Sequence, residues 1–186
     1  MTMLWGADLG ALEVRTEGGE THLRASFPYG VETELAPGRH EVFEARAFAN
    51  RIESGGEVHL LSGHDFEKPL ASRRAGTLQI IDTPQAVIIE ARISPATTWA
   101  RDFLAANSSR LIRGLSPGFR VQTGGEKIES RGAGLLRRVV KADLFEFSAV
   151  TVPAYPAAQI EARSWSGEVN TGGHSTRFNS LKRWRP

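Results

Sequence analysis

Apolar and polar residues alternate along much of this chain, and the alternation predicts strands more often than helices. LEVRT (12–16) and THLRASF (21–27) are short strand-like pieces among glycines and prolines. The pattern is clearer in HEVFEARAFA (40–49) and EVHLL (57–61). GTLQIID (76–82) and AVIIEARI (86–93) predict two strands joined by a TPQ turn suited to a hairpin. A helical spacing follows over about 95–112, with Ser94 as cap, Pro95 in the first turn, and Trp99, Phe103, Leu104 and Leu111 on roughly one face. Strands return in FRVQT (119–123), LLRRVVKADL (135–144) and FEFSAVTV (145–152), with the polar loop GGEKIESRGAG between the first two. These elements predict an α+β, strand-rich domain with one or two helices.

From about residue 164 the pattern stops. SWSGEVNTGGHSTRFNSLKRWRP is rich in Ser, Gly, Asn and Arg, and its last 13 residues carry Arg177, Lys182, Arg183 and Arg185 without an acidic residue. The expected organisation is a folded domain over 1–163 and a flexible basic tail over 164–186, either solvated or docking on an acidic partner.

Composition narrows the chemistry. A chain of 186 residues is long enough for one domain with a core, and a net charge of +2 is too small to imply a nucleic-acid partner. The absence of cysteine excludes disulfides, thiolate metal sites and cysteine nucleophiles. No stretch approaches the roughly 20 apolar residues of a membrane span, and MTMLWGADLGALEVR lacks the plan of a signal peptide, so a cytoplasmic origin is expected. No metal-binding spacing and no phosphate loop are present, and no cofactor is expected.

Three stretches remain as candidate chemistry. His22, His40 and His174 lie in polar surroundings, and His59 is expected to face solvent from a half-buried strand. His64, in LLSGHD, follows a strand and a glycine, where loops carry functional groups on a rigid scaffold. Ser116, in GLSPGF, is either part of a turn or an exposed nucleophile. Pro117 biases it toward extended backbone, and Gly114 and Gly118 leave space around the hydroxyl. In DLFEFSAVTVPA, alternation sets Phe145 and Phe147 on one face and Glu146, Ser148, Val150 and Val152 on the other. A carboxylate on an apolar strand face needs either a partner or an exposed edge.

LLSGHD, GLSPGF and EFSAVTVPA, in this order, resemble the hallmark segments of the prohead maturation proteases of tailed bacteriophages with HK97-like capsids, over about residues 40–160. The resemblance implies a mostly antiparallel β-barrel flanked by helices, similar to the herpesvirus capsid-maturation proteases. It implies a serine endopeptidase inside the assembling procapsid in the host cytoplasm. Its substrates would be scaffolding protein or the scaffold-like segment of the major capsid protein, and often itself, with self-association and without nucleic acid or membrane. It assigns His64 as general base, Ser116 as nucleophile and Glu146 as orienting acid, with Asp65 a rival for the last role. Pro117 departs from the family pattern, and having no N–H it cannot stabilise an oxyanion. The amide of Gly118, or one of Arg137 and Arg138, is the alternative donor. Two other readings stay open: a non-catalytic capsid-assembly protein that keeps the fold, and a serine esterase. The esterase elbow needs a strand–serine–helix context, whereas here the expected helix precedes the serine.

Overall fold

A computed structural model describes residues 12–17, 20–112 and 114–151. Expectations for the basic tail, for His174 and for Val152 lie outside the described residues. In chain order the elements are β1 (Leu12–Glu17), β2 (Glu20–Pro28), β3 (Thr33–Ala36), β4 (Arg39–Phe43), α1 (Ala49–Glu53), β5 (His59–Ser62) and β6 (Asp65–Ser72). They continue as β7 (Leu78–Asp82), β8 (Ala86–Ile93), α2 (Thr98–Ser108), β9 (Gly114–Val121), β10 (Glu126–Arg131), β11 (Gly134–Val139) and β12 (Ala142–Val150).

The strands form three four-stranded sheets, in the orders β1-β2-β8-β7, β10-β11-β4-β3 and β6-β5-β12-β9. The strand-rich α+β expectation holds. The expected closed barrel does not, because the described strands pair as three separate sheets with free outer strands. Most pairings are antiparallel, but β4 with β11 and β5 with β12 are parallel. The parallel pairs bring segments more than 80 residues apart in the chain side by side.

The core lies between the sheets. Phe27, Phe43, Phe48 and Phe147 are buried, with the Phe27 and Phe43 rings edge to face at 5.2 Å and Phe43 and Phe119 at 4.9 Å. Each buried aromatic removes about 150–250 Å² from water, and each well-oriented pair adds about 0.5–1.5 kcal/mol.

Several sequence expectations shift in position, among them GGEKIESRGAG, expected as a loop, which carries β10. The strand expected over 40–49 stops at Phe43, where the apolar spacing changes. Phe43, Ala47, Phe48 and Ile52 all reach the core, a helical spacing that carries the chain through a turn into α1. The helix expected from 95 starts at Thr98. Thr97, with extended backbone, caps it through its hydroxyl on the N–H of Ala100 at 3.3 Å, while Ser94 holds the preceding turn through the N–H of Ala96. Phe103 is buried as expected, but Leu111 lies past the helix and is exposed. The hairpin expected from 76–82 and 86–93 forms, with β7 and β8 antiparallel and Asp82 opposite Val87.

Candidate active site

GLSPGF is neither a turn nor a loop: it is the first three-quarters of β9. This strand is the outer one of its sheet and pairs antiparallel with β12, placing Ser116 opposite Ser148, Pro117 opposite Phe147 and Gly118 opposite Glu146. An outer strand is the place in a sheet where proline is tolerated. Backbone direction explains why the proline falls at 117. Gly63 donates its N–H to the carbonyl of Ala149 at 3.1 Å, so Ala149, and with it Phe147, point their backbone groups toward β5. Ser148 and Glu146 therefore point theirs toward β9. Pro117, opposite Phe147, turns its nitrogen to the outside, where no ladder bond is lost. By the same alternation the amide of Gly118 is aimed at β12.

His64 owes its position to a two-residue hairpin. Ser62 pairs with Asp65, leaving Gly63 and His64 as the loop, with φ of 67° and 62°. Positive φ at both central residues is the requirement of a type I′ turn, whose twist matches the flanking strands. Histidine is among the few non-glycine residues that enter this region with any frequency.

Glu146 is aimed by a bulge. The register of β12 against β9 slips between Leu144 and Glu146, leaving Phe145 as the extra residue. Without it, a period of two would send Ala142, Leu144, Glu146 and Ser148 to one face, and Ala142 and Leu144 are core residues. The inserted residue hands the core face to Phe147 and Ala149, which are fully buried there, and turns Glu146 and Ser148 to the other side. The expectation that Phe145 and Phe147 share a face fails for this reason. The Phe145 ring instead packs under the guanidinium groups of Arg51 and Arg120, at 5.3 and 5.5 Å. A readable signal exists in KADLFEFSAV, where the apolar positions change phase at the adjacent pair Leu144–Phe145.

The bulge and the hairpin meet. His64 Nδ1 lies 2.8 Å from Glu146 Oε1, and the Glu146 side chain is 4% exposed against 35% for His64. Opposite a carboxylate, Nδ1 carries the proton, which leaves Nε2 of the neutral ring as an acceptor. Ser148 completes the arrangement. Its Oγ accepts the backbone N–H of His64 at 2.8 Å and donates to Glu146 Oε2 at 2.6 Å. The buried carboxylate thus has a bond on each oxygen, which offsets the cost of removing it from water. Ser116 is 1% exposed. As residues directly opposite in an antiparallel pair, Ser116 and Ser148 have Cβ atoms about 4.5–5.5 Å apart.

Gly118 has a visible reason to be glycine. A Cβ built there would fall 2.0 Å from Glu146 Oε1 and 2.7 Å from its Cδ. The carboxylate occupies the space that any side chain at 118 would fill.

The remaining candidates lie elsewhere. Asp65 accepts the N–H of Glu67 at 2.9 Å and pairs with Lys68 at 3.0 Å, and these bonds hold its carboxyl below the usual aspartate range. Arg137 is buried in the second sheet with Glu41 and Glu126, and Arg138 pairs there with Glu44 and Glu129. His59, in register with Glu146 on β5, sits edge-on to the exposed ring of Phe66 at 6.0 Å. A surface hollow of about 650 Å³ lined by His22, Arg24, Thr77, Gln79, Glu90 and Arg92 lies on the first sheet and includes none of the residues above. Among the described residues no helix is long and apolar enough to cross a membrane.

An imidazole hydrogen-bonded to a buried carboxylate, one strand away from a serine set between glycines, is the kind of site that serine peptidases use. The family comparison agrees. Residues 11–171 match the model of the caudovirus prohead serine proteases, and the chain belongs to that family. No curated protein and no solved structure matches it.

Proposed function

We propose that this protein is the endopeptidase that matures a procapsid, with Ser116 as nucleophile, His64 as general base and Glu146 as the acid that orients it. Membership in a serine peptidase family sets the reaction class. The observation that carries the assignment of residues is the bond of His64 Nδ1 to the buried Glu146, on the strand that pairs with Ser116. In this reading His64 Nε2 takes the proton of Ser116 Oγ as it attacks the scissile carbonyl, and Glu146 stabilises the imidazolium that forms. The proton passes to the leaving amine, and water repeats the sequence on the acyl-enzyme. Of the three residues His64 is the one open to solvent, its side chain 35% exposed against 4% for Glu146, and Ser116 is 1% exposed. Asp65 is set aside as orienting acid because its oxygens serve the β6 turn and Lys68.

The amide expected to stabilise the oxyanion, that of Gly118, faces the β12 ladder. We assign Gly118 to housing the Glu146 carboxylate and place the oxyanion donor outside residues 117 and 118. Arg137 and Arg138 are set aside too, since both are engaged with glutamates of the second sheet.

In this reading the substrates are scaffolding protein, or the scaffold-like segment of the major capsid protein, within the assembling procapsid of an infected cell, and the chain itself is a further substrate. The test is co-expression with the capsid and scaffold proteins of the same phage. Wild type processes them. Ser116→Ala loses a factor on the order of a million in rate and accumulates precursors. Unchanged processing by Ser116→Ala overturns the assignment. A fluorophosphonate probe separates this reading from a non-catalytic assembly protein, which would stay unlabelled.

A further inference from the structure

The geometry points to Ser148 as a positioning residue that locks the base and the acid of this site together, a role distinct from that of either serine nucleophile or structural hydroxyl. The inference rests on the functional reading above.

Ser148 is 0% exposed and stands at the centre of the arrangement. Its single hydroxyl makes two bonds of opposite sense: it accepts the main-chain N–H of His64 and donates to Glu146 Oε2. Its proton is thereby committed to the carboxylate, and its contact with His64 is to the backbone rather than the ring. These two facts exclude it as the group that His64 deprotonates. They also give it leverage on both partners. His64 sits at a positive φ that costs a non-glycine residue about 1–2 kcal/mol, and the bond to its N–H opposes relaxation of that turn. The bond to Oε2 fixes the rotation of the Glu146 carboxylate, and so aims Oε1 at Nδ1. The third link is the register: Ser148 faces Ser116 across the ladder, so one side chain ties the His64 turn and the carboxylate to the strand that carries the nucleophile.

The experiment uses the full chain and a fluorophosphonate probe, comparing wild type with Ser148→Ala and with Ser148→Cys, which fills the same space with a weak donor. Losing a hydrogen bond to a charged group predicts a maximal labelling rate about 10- to 100-fold lower with the half-saturating probe concentration near wild type, and a lowered melting temperature because the buried carboxylate loses a partner. The downfield NMR resonance of the proton between His64 Nδ1 and Glu146 should broaden or vanish in both variants. Either variant that folds, labels at the wild-type rate and keeps that resonance overturns the inference. Failure of both variants to fold also overturns it, since Ser148 would then be structural alone. Ser116→Ala run beside them keeps the two readings apart. Labelling of Ser116→Ala refutes the assigned nucleophile, whereas silence of Ser116→Ala with full labelling of Ser148→Ala refutes only the positioning role.

Discussion

Replacing Gly118 by alanine is the sharpest test of what this glycine does. The added Cβ would lie 2.0 Å from Glu146 Oε1 and 2.8 Å from its Cγ, and real Cβ contacts essentially never fall under 3.0 Å. Either β9 or the carboxylate must move by at least about 1 Å. The strand is tied to β12 along its length, and among the described residues the side chain is hydrogen-bonded to His64 and Ser148, so the carboxylate is what yields. Oε1 is the atom that receives Nδ1–H at 2.8 Å, and a displacement of that size takes the pair beyond hydrogen-bond distance. The loss of a bond to a charged group is worth about 1.5–3 kcal/mol, or about 10- to 150-fold in rate if it is realised in the transition state. Overpacking adds a stability cost of about 1–3 kcal/mol. Fluorophosphonate labelling and capsid-precursor processing read the first effect, and a denaturant titration reads the second. Alanine keeps the backbone N–H, so a glycine serving only as an oxyanion donor would tolerate the change. Wild-type labelling and wild-type stability in Gly118→Ala would refute the packing argument and restore the donor role.

Other substitutions separate the remaining groups. Asp65→Asn should change labelling by less than about twofold, because Asp65 is engaged with Glu67 and Lys68 in exposed positions; a loss comparable to that of Glu146→Gln would reinstate it as the orienting acid. Arg137→Met removes a buried cation from between Glu41 and Glu126 and should cost about 3–5 kcal/mol in urea unfolding while leaving the labelling rate of the folded fraction unchanged. Asp82 accepts the Tyr29 hydroxyl at 2.9 Å, and burial holds its carboxyl above the usual aspartate value. Its favourable contribution is therefore present at acid pH, where it is protonated, and is lost as pH rises from the usual aspartate range through the folded value. Asp82→Asn should gain on wild type in urea midpoint as pH rises above the usual aspartate range, and a gap that narrows with rising pH would contradict the sign.

Much of the site was legible because its parts are local. A histidine after a glycine at a strand end, Ser116 beside Pro117, and a glutamate on an apolar strand each carry a signal within six or eight residues. So do the 78–82 and 86–93 hairpin and the apolar face around Phe103. The errors have local causes as well. In GLSPGF the glycines and proline keep a turn open as a reading, because they mark turns in general. An outer strand accepts proline, and a strand packed against a carboxylate demands glycine, so the same letters serve an extended segment. The phase change at Leu144–Phe145 is present in the letters, but alternation alone places a boundary between two strands there. Ser148 went unassigned because an i, i+2 spacing from Glu146 only says that two residues share a face.

Taken alone, the order of residues determined the strand-rich class, the absence of thiol chemistry, and which histidine, serine and glutamate were candidates, since these depend on composition and short-range periodicity. Only the tertiary structure decided that His64, Glu146 and Ser148 touch, and that Gly118 is space for a carboxylate. It also decided that the described strands pair as three four-stranded sheets. Those outcomes rest on pairing between segments more than 80 residues apart and on one inserted residue that turns a strand face over. No local pattern encodes which distant strand a given strand will meet, because burial, which selects the partner, exists only once the chain has folded.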